Sequence, residues 1–371
     1  MQSEIYQYDP DKTPLLTFVT SRAATERTGN PQFFHLEDEP LPAWDTLSQA
    51  ISSTTITTGA STGFLPTNIG YFRVGDLVLI PTSSLSGGEV VRVTAVAAGA
   101  GFTNVRNWTG DQTTGGTASS GAACFIIGNA NEENAGVRTI ITTTEASVTN
   151  YVQIIRTPVG GSGTEDASDL YGGKDRPYQR RKMATQHAFE QERAFIFGKK
   201  AEVTGTTHKI RATGGLLQWI TTNVTNVNGA LTASSLETFL STLFRYGSQT
   251  KLLLVSRLVA SQLDMIAESR LNTVPNADTY GVNVTKYVSA HGNLMVHIHD
   301  MLDHDYSGYA IAIDLANIKK RYMVNSEGKR DGMLRTNIES PDTDGWVDEY
   351  LSEVGCHVIQ EKTMGVLKGV A

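Results

Sequence analysis

The densest cluster of potential ligands in this 371-residue chain is His297-Ile298-His299-Asp300, with Asp303, His304 and Asp305 close behind. Strand alternation puts His297 and His299 on one face, an arrangement that metal sites use; a metal-dependent hydrolase is the activity such a pair would serve. Two features weigh against it. The acids fall in an apparent turn between strands, where Asp is common because its side chain bonds nearby backbone. No Glu stands at a recognised zinc-hydrolase spacing to act as general base.

Other chemical motifs fail on context. Gly59-Ala60-Ser61-Thr62-Gly63 has the G-x-S-x-G spacing of a nucleophile elbow, which needs a hydrophobic strand before it and a helix after it. Here Thr54–Thr58 precedes and Pro66 follows, so a polar turn is the better reading. Ser340-Pro341-Asp342-Thr343-Asp344-Gly345 has the look of a calcium loop, but its twelfth position is Leu351 where a bidentate Glu is required. The sequence has no P-loop, dinucleotide fingerprint, CxxC pair or nucleophile–base set. Cys124 and Cys356 sit in apolar, strand-like contexts far apart, which predicts small buried hydrophobes in a reducing cytoplasm and no disulfide framework. No catalytic residue, cofactor or metal is expected.

The surrounding elements explain more. From Val137 to Val159 a long extended segment leads, past a glycine elbow at Gly160-Gly161-Ser162-Gly163 and a breaker at Gly172-Gly173, into one polar helix from Arg176 to Phe197. Asp175 is a plausible N-cap, Pro177 suits the first turn, and Gly198 lies just past the end. Ala184, Ala188, Gln191 and Phe195 form only a narrow apolar stripe, while Arg180, Arg181, Lys182, Glu190, Glu192 and Arg193 occupy much of the rest. A strand arm this long beside a helix this polar predicts a part completed by neighbouring copies.

Composition sets the frame. The chain is globular, with 40% hydrophobic and 19% charged residues, and two or three domains are expected at this length. A formal charge of −7 argues against a general nucleic-acid binder, and no segment approaches the ~20 apolar residues of a membrane span. The start, MQSEIYQYDP, has neither the basic nor the apolar region of a signal peptide. Residues 1–30 read as an arm. Between 51 and 128, short strands at Tyr71–Ile80, Glu89–Val96, Phe102–Arg106 and Ala123–Ile127, with turns at Gly75-Asp76 and Gly87-Gly88, predict a small barrel or sandwich inserted as its own module. From about 205 to 330 helix and strand alternate. A capping box at Ser234-Ser235-Leu236-Glu237 opens one helix, and Ser256 caps a second carrying Leu258, Leu263 and Ile266. Strands are expected at Leu252–Val255, Asn283–Val288, Leu294–His299, Tyr309–Ile313 and Lys320–Val324, and the tail returns to extended structure. The fold class is therefore α+β.

Several stretches resemble the major capsid protein of tailed bacteriophages, the Hong Kong-type shell fold, in the subgroup with a β-rich insertion in its extended loop (the E-loop). They are Phe34-His35-Leu36-Glu37-Asp38-Glu39, Phe72-Arg73-Val74-Gly75-Asp76-Leu77, Gly88-Glu89-Val90-Val91-Arg92-Val93-Thr94, Asn150-Tyr151-Val152-Gln153-Ile154-Ile155, Tyr171 to Gly198, and Gly355-Cys356-His357-Val358-Ile359-Gln360-Glu361. The resemblance covers nearly the whole chain and rests on the order of its parts. It implies an N-terminal arm (1–30), an E-loop region (31–165) carrying the insert (51–128), a peripheral domain with the spine helix (166–204 and 331–371), and an axial domain (205–330).

The resemblance also implies self-assembly into pentamers and hexamers of an icosahedral virion shell, built in the host cytoplasm around double-stranded DNA. Decoration, scaffolding and portal proteins are the further partners it implies, with no membrane. Asn150, Tyr151, Gln153, Arg180, Arg181, Glu190 and Arg193 become the candidate inter-subunit residues. An encapsulin nanocompartment shares the fold and stays open as an alternative, as do the hydrolase and a tail or neck protein. A net acidic chain also suits a container, since a basic wall would grip DNA during packaging.

Overall fold

The computed structural model describes residues 13–21, 25–52, 61–82, 87–97, 101–106, 108, 115–168, 175–270, 274–275, 285–326 and 328–371. The expected breaker Gly172-Gly173, residues 1–12 and 22–24 of the arm and the start of the Gly59–Gly63 motif lie outside these residues. The chain divides into two units, Met1–His35 with Ser147–Ala371, and Leu36–Ala146.

The larger unit is built on two sheets. In the first, the strands run in the order Thr25–Thr28, Ile318–Asn325, Gly345–Val358, Gln153–Ser162. The last two pair antiparallel over ten residues, from Gln153 opposite Val354 to Ser162 opposite Gly345. Along Gln153–Ser162 burial alternates: Ile155, Thr157 and Val159 are buried, whereas Ile154, Arg156 and Pro158 are exposed. One face is therefore covered, and the helix Asp175–Phe197 covers it, reaching Thr157 from His187.

The glycine elbow is not a break. Gly160 and Gly161 continue the strand, and the turn into a short helix comes only at Gly163. These glycines answer to packing: a Cβ on Gly160 would lie 2.8 Å from the Trp346 carbonyl oxygen, and one on Gly161 would lie 3.0 Å from Trp346 Nε1. The hydrogen-bonded arm is also shorter than expected, starting at Ala146, with residues 137–145 outside any strand.

The second sheet has seven strands, ordered Val224–Gly229, Gly365–Val370, Ala310–Ile313, Thr250–Val255, Asn293–Ile298, Thr285–Val288, Val274–Pro275. Its central strand, Thr250–Val255, is buried on both faces. Leu252 and Leu254 join a core with Leu15, Phe18, Phe195, Ile196, Val354 and Cys356. Leu253 and Val255 face the opposite core under the helices Ala233–Leu243 and Arg257–Arg270. Two strands cross over from where sequence order placed them: Ile318–Asn325 pairs in the first sheet, and Gly365–Val370 lies inside the second.

Helix 233–243 buries Leu236, Phe239, Leu240 and Leu243, the i, i+3, i+4, i+7 stripe that periodicity predicts. Its capping box is Thr232 with Ser235, two residues before the expected start at Ser234, because the Thr232 and Ser235 hydroxyls each accept from the other's backbone N–H. Ser256 caps the next helix as expected, its hydroxyl accepting from Val259 N–H at 3.2 Å. There Leu263 is buried and Ile266 packs against the core as expected, while Leu258 stays 37% exposed and Val259 is buried in its place.

The smaller unit is an antiparallel six-stranded sheet ordered Trp44–Thr46, Ala123–Asn129, Asp76–Ile80, Glu89–Ala97, Gly101–Val105, Ser61–Phe64. Leu47, Phe64, Phe72, Val78, Ile80, Val91, Val93, Phe102 and Cys124 form its core. It starts at Trp44, seven residues before the expected 51. Gly88 takes φ +85°, and a Cβ there would meet the Ile80 carbonyl oxygen at 2.6 Å, so the turn needs glycine. A strand at Ser61–Phe64, with no helix behind it, removes the context a nucleophile elbow requires.

Candidate assembly interface

One polar stripe of the long helix faces its own sheet. Arg176, Arg180, His187 and Gln191 follow an i, i+4, i+11, i+15 spacing that brings all four onto one stripe. That stripe meets the inward residues Asp348 and Ser352 of the strand Gly345–Val358. Asp348 is fully buried; its carboxylate accepts from Arg176 Nη2 at 2.8 Å, Arg180 Nε at 2.7 Å and Asn337 N–H at 3.0 Å. Burial alone would raise its pKa, but the hydrogen bonds from Arg176, Arg180 and Asn337 outweigh burial and lower it to about 2.

Further along, Thr157 Oγ1 donates to Glu190 Oε2 at 2.7 Å and so accepts from His187 Nδ1–H at 2.8 Å. His187 Nε2 lies 2.7 Å from Ser352 Oγ, which accepts from Gln191 Nε2 at 2.9 Å and lies within donating distance of Asp331 Oδ1 at 3.2 Å. Burial lowers the His187 pKa, which favours the neutral ring. Gln191 Oε1 accepts from Lys320 Nζ at 2.7 Å, and Lys320 pairs with Asp331 at 2.9 Å.

At the far end, Glu192 is fully buried. Its oxygens accept from the Leu15 and Leu16 N–H groups at 2.8 and 2.7 Å, satisfying the open N-terminus of the helix Pro14–Ser21. His299 completes the set. Its Nδ1 accepts from Met301 N–H at 3.2 Å, which leaves Nε2–H to donate to Glu192 Oε1 at 3.0 Å.

His297 and His299 do share a face, as alternation predicts, yet they do not form a ligand pair. His299 is committed to Glu192, and His297 packs edge-on to Phe18 with ring centroids 6.3 Å apart. The nearby acids turn away: Asp300 pairs with Arg257 at 2.5 Å, and Asp303 accepts from Arg257 N–H at 2.8 Å. Among the described residues no group of three His, Cys, Asp or Glu is placed to hold a metal ion. The Ser340–Gly345 segment is a turn closed by Thr343 N–H to Ser340 O at 3.0 Å. Burial pushes the Cys124 thiol up to about 11 and Cys356 to about 12.

Of the seven candidate interface residues, most are used within the subunit. Asn150 is buried; it donates to Cys356 O at 2.6 Å and Gly214 O at 3.0 Å, and accepts from Gly214 N–H and Tyr151 N–H, both at 2.8 Å. Gln153 accepts from Thr213 N–H at 3.2 Å, Tyr151 lies under Lys200 Nζ, and Arg180 and Glu190 belong to the seam. Arg181 and Arg193 are exposed and make no ion pair with the described residues. The helix is polar because it is pinned to its own sheet, and helical apolar periodicity cannot separate that state from a solvated face. The missed signal was the spacing of its polar residues together with Asp348 and Ser352 on alternate positions of one strand.

Among the described residues several segments expose large apolar side chains, and two of them concern the assembly. The extended stretch 137–145 belongs to no strand, with Val137 96% and Ile140 80% exposed. The hairpin of Ala201–Thr204 with Lys209–Ala212 shows Val203 at 60% and Ile210 at 65%.

An α+β subunit that spends most of its helix charges internally, and leaves an extended limb and a hairpin open, has the build of a structural subunit. Its whole length, residues 1–371, matches the family model described as SU10 major capsid protein, and the chain belongs to that family: it is a capsid protein of the virion. No curated protein matches the chain. Among solved structures it is similar to the capsid of Myoviridae phage XM1, at 12% identity over 100% of this chain and 96% of that one (TM-score 0.47). A native GTA particle capsid is similar at 11% identity over 96% and 91% (TM-score 0.46). The SrpI encapsulin of Synechococcus elongatus PCC 7942 is similar at 11% identity over 62% and 78% (TM-score 0.44).

Proposed function

We propose that this chain is the non-catalytic shell subunit of a tailed-phage head with the Hong Kong-type architecture. In this reading residues 1–30 are the arm, 31–165 the E-loop region with its β insert, and 205–330 the axial domain. Residues 166–204 with 331–371 make most of the peripheral domain with its spine helix, strand Ile318–Asn325 pairing with that part and strand Gly365–Val370 with the axial sheet. Copies join head to tail into rings of five and six, the contact type that closes. The shell encloses double-stranded DNA without reading its sequence, assembles in the host cytoplasm, and takes decoration, scaffolding and portal proteins at its surfaces and vertex. Arg181 and Arg193, left free by the seam, are the helix charges that meet neighbours; exposed pairs of this kind are individually weak and count by number.

The observation that carries the reading is the bare limb 137–145 on a chain of the capsid family. An extended β-prone stretch with open backbone groups pairs with another chain unless something protects it. Negative-stain microscopy of the expressed protein tests it. Closed particles are expected; monomers alone, or open tubes, would refute it.

A further inference from the structure

The hairpin 201–212 is amphipathic in a way the monomer does not use. Its register sets Val203 opposite Ile210 and Ala201 opposite Ala212 on one face, and Glu202 opposite Arg211 on the other. The charged face is complete, with Glu202 bound to both Lys209 and Arg211. The apolar face is open, Val203 and Ile210 being 60% and 65% exposed. Two strands alone are marginally stable in water, so a third strand or a cover is needed to hold such an element. All four residues of Ala201–Thr204 are exposed, while Arg211 and Ala212 are partly covered, so the outer edge of 201–204 is the accessible one.

The same chain carries a strand without a sheet. In 137–145 (VRTIITTTE) the backbone makes no hydrogen bond with any described residue. The side chains of Arg138 and Thr143 tether it, Arg138 to Val74 O and Asp76, Thr143 to Asp38 at 3.0 Å. The backbone and Ile140 are left unused. Nine residues can extend to about 30 Å, more than twice the roughly 13 Å of a four-residue edge.

Resting on the assembly reading above, we infer that residues 137–145 of a second copy add as a strand to the 201–204 edge, placing Ile140 beside Val203 and Ile210 in one apolar row. β-Addition supplies the backbone bonds that both elements lack, and the apolar row sets the register. Arg138 and Thr142 share the Ile140 face by alternation, so they flank the row.

The test compares shells with unassembled subunits. Val203→Lys and Ile210→Lys change exposed side chains, so subunit melting should stay near wild type. A charge set in an apolar contact should lower particle yield by roughly tenfold or more. Thr204→Lys, on the charged face, should assemble like wild type. In Ile140→Cys/Val203→Cys shells, oxidation should give covalent oligomers, since both native cysteines are buried, and hydrogen exchange should slow at both 137–145 and 201–204 on assembly. Normal assembly of Val203→Lys and Ile210→Lys, or wild-type shells in which the hairpin exchanges as in free subunits, overturns the inference and leaves the shell reading intact. A protected hairpin without the disulfide overturns the pairing with 137–145. Wild-type protein that forms no particles overturns the assembly reading, and this inference with it.

Discussion

Replacing Asp348 by asparagine keeps the shape of the side chain and removes its charge, which isolates the ion-pair end of the seam. The carboxylate is fully buried and accepts from two guanidinium groups and the Asn337 N–H. Asparagine keeps an oxygen for Asn337 but turns N–H donors toward Arg176 and Arg180. Breaking a fully buried pair costs about 3–5 kcal/mol. Here the arginine side chains are 23% and 30% exposed, so they recover part of their hydration, and about 2–3 kcal/mol is expected. The pKa gives a second route. A lowering from 3.8 to about 2 is worth about 2.4 kcal/mol, at about 1.36 kcal/mol for each pH unit. Because the folded pKa is depressed, this stability is present above pH 3.8 and is lost as pH falls toward 2. Urea denaturation of unassembled subunit at pH 7, repeated between pH 5 and 2, measures both. Asp348→Asn should lower the midpoint at pH 7 and flatten the acid slope below 3.8. A variant within about 0.5 kcal/mol of wild type, with an unchanged acid slope, would refute the view that the seam holds the helix to its sheet.

Glu192→Gln should loosen the N-terminal helix, because an amide cannot accept from Leu15, Leu16 and His299 at once. About 2–3 kcal/mol is expected, with faster proteolysis at residues 14–21 as the local readout. His357 is held neutral, its pKa pushed down to about 3 by burial first and then by Arg321, His35 and Lys319. A depressed histidine destabilises on acidification, so stability should fall from pH 6.5 toward 3, and His357→Gln should weaken that slope in pH-dependent melting. Lys251 donates to the carbonyls of Leu243, Tyr246 and Thr363 at 2.7, 2.8 and 2.6 Å, capping the helix 233–243. Lys251→Met strands three acceptors, two of them buried, and should cost about 2–4 kcal/mol by urea titration.

What could be read in advance divides along physical lines. Strands such as Glu89–Val96 and the stripe of helix 233–243 were legible because alternation and 3.6-residue spacing report which face meets the core. Helix 175–197 was legible in extent but not in role. Its burial is polar, and Arg176, Arg180, His187 and Gln191 declare their partners only when Asp348 and Ser352, more than 150 positions later, are laid beside them. The strand crossovers at 318–325 and 365–370 were beyond sequence order for the same reason: β partners are chosen by long-range register, which local pattern does not encode. His297 and His299 show the converse. Their shared face was correctly read, yet a shared face is not a site, because Glu192 and Phe18 come from distant segments and take up what a metal would need.

The seam also explains why the bare elements are where they are. A helix fixed to its own sheet by an Asp348 ion pair, a neutral His187 and a capped Glu192 does not have to rearrange when copies meet. Whatever order assembly brings must then be concentrated in parts outside that seam, among which the described residues include the limb 137–145 and the hairpin 201–212. Those parts expose backbone groups and single apolar rows and carry no unpaired buried charge, so ordering them costs chain entropy with little desolvation of ions. That division predicts separable phenotypes: seam variants such as Asp348→Asn lower subunit stability before assembly, while hairpin variants such as Val203→Lys leave the subunit's melting alone and act only on particle yield. A seam variant that assembled poorly at unchanged subunit stability would place the helix itself in the moving interface and break the division.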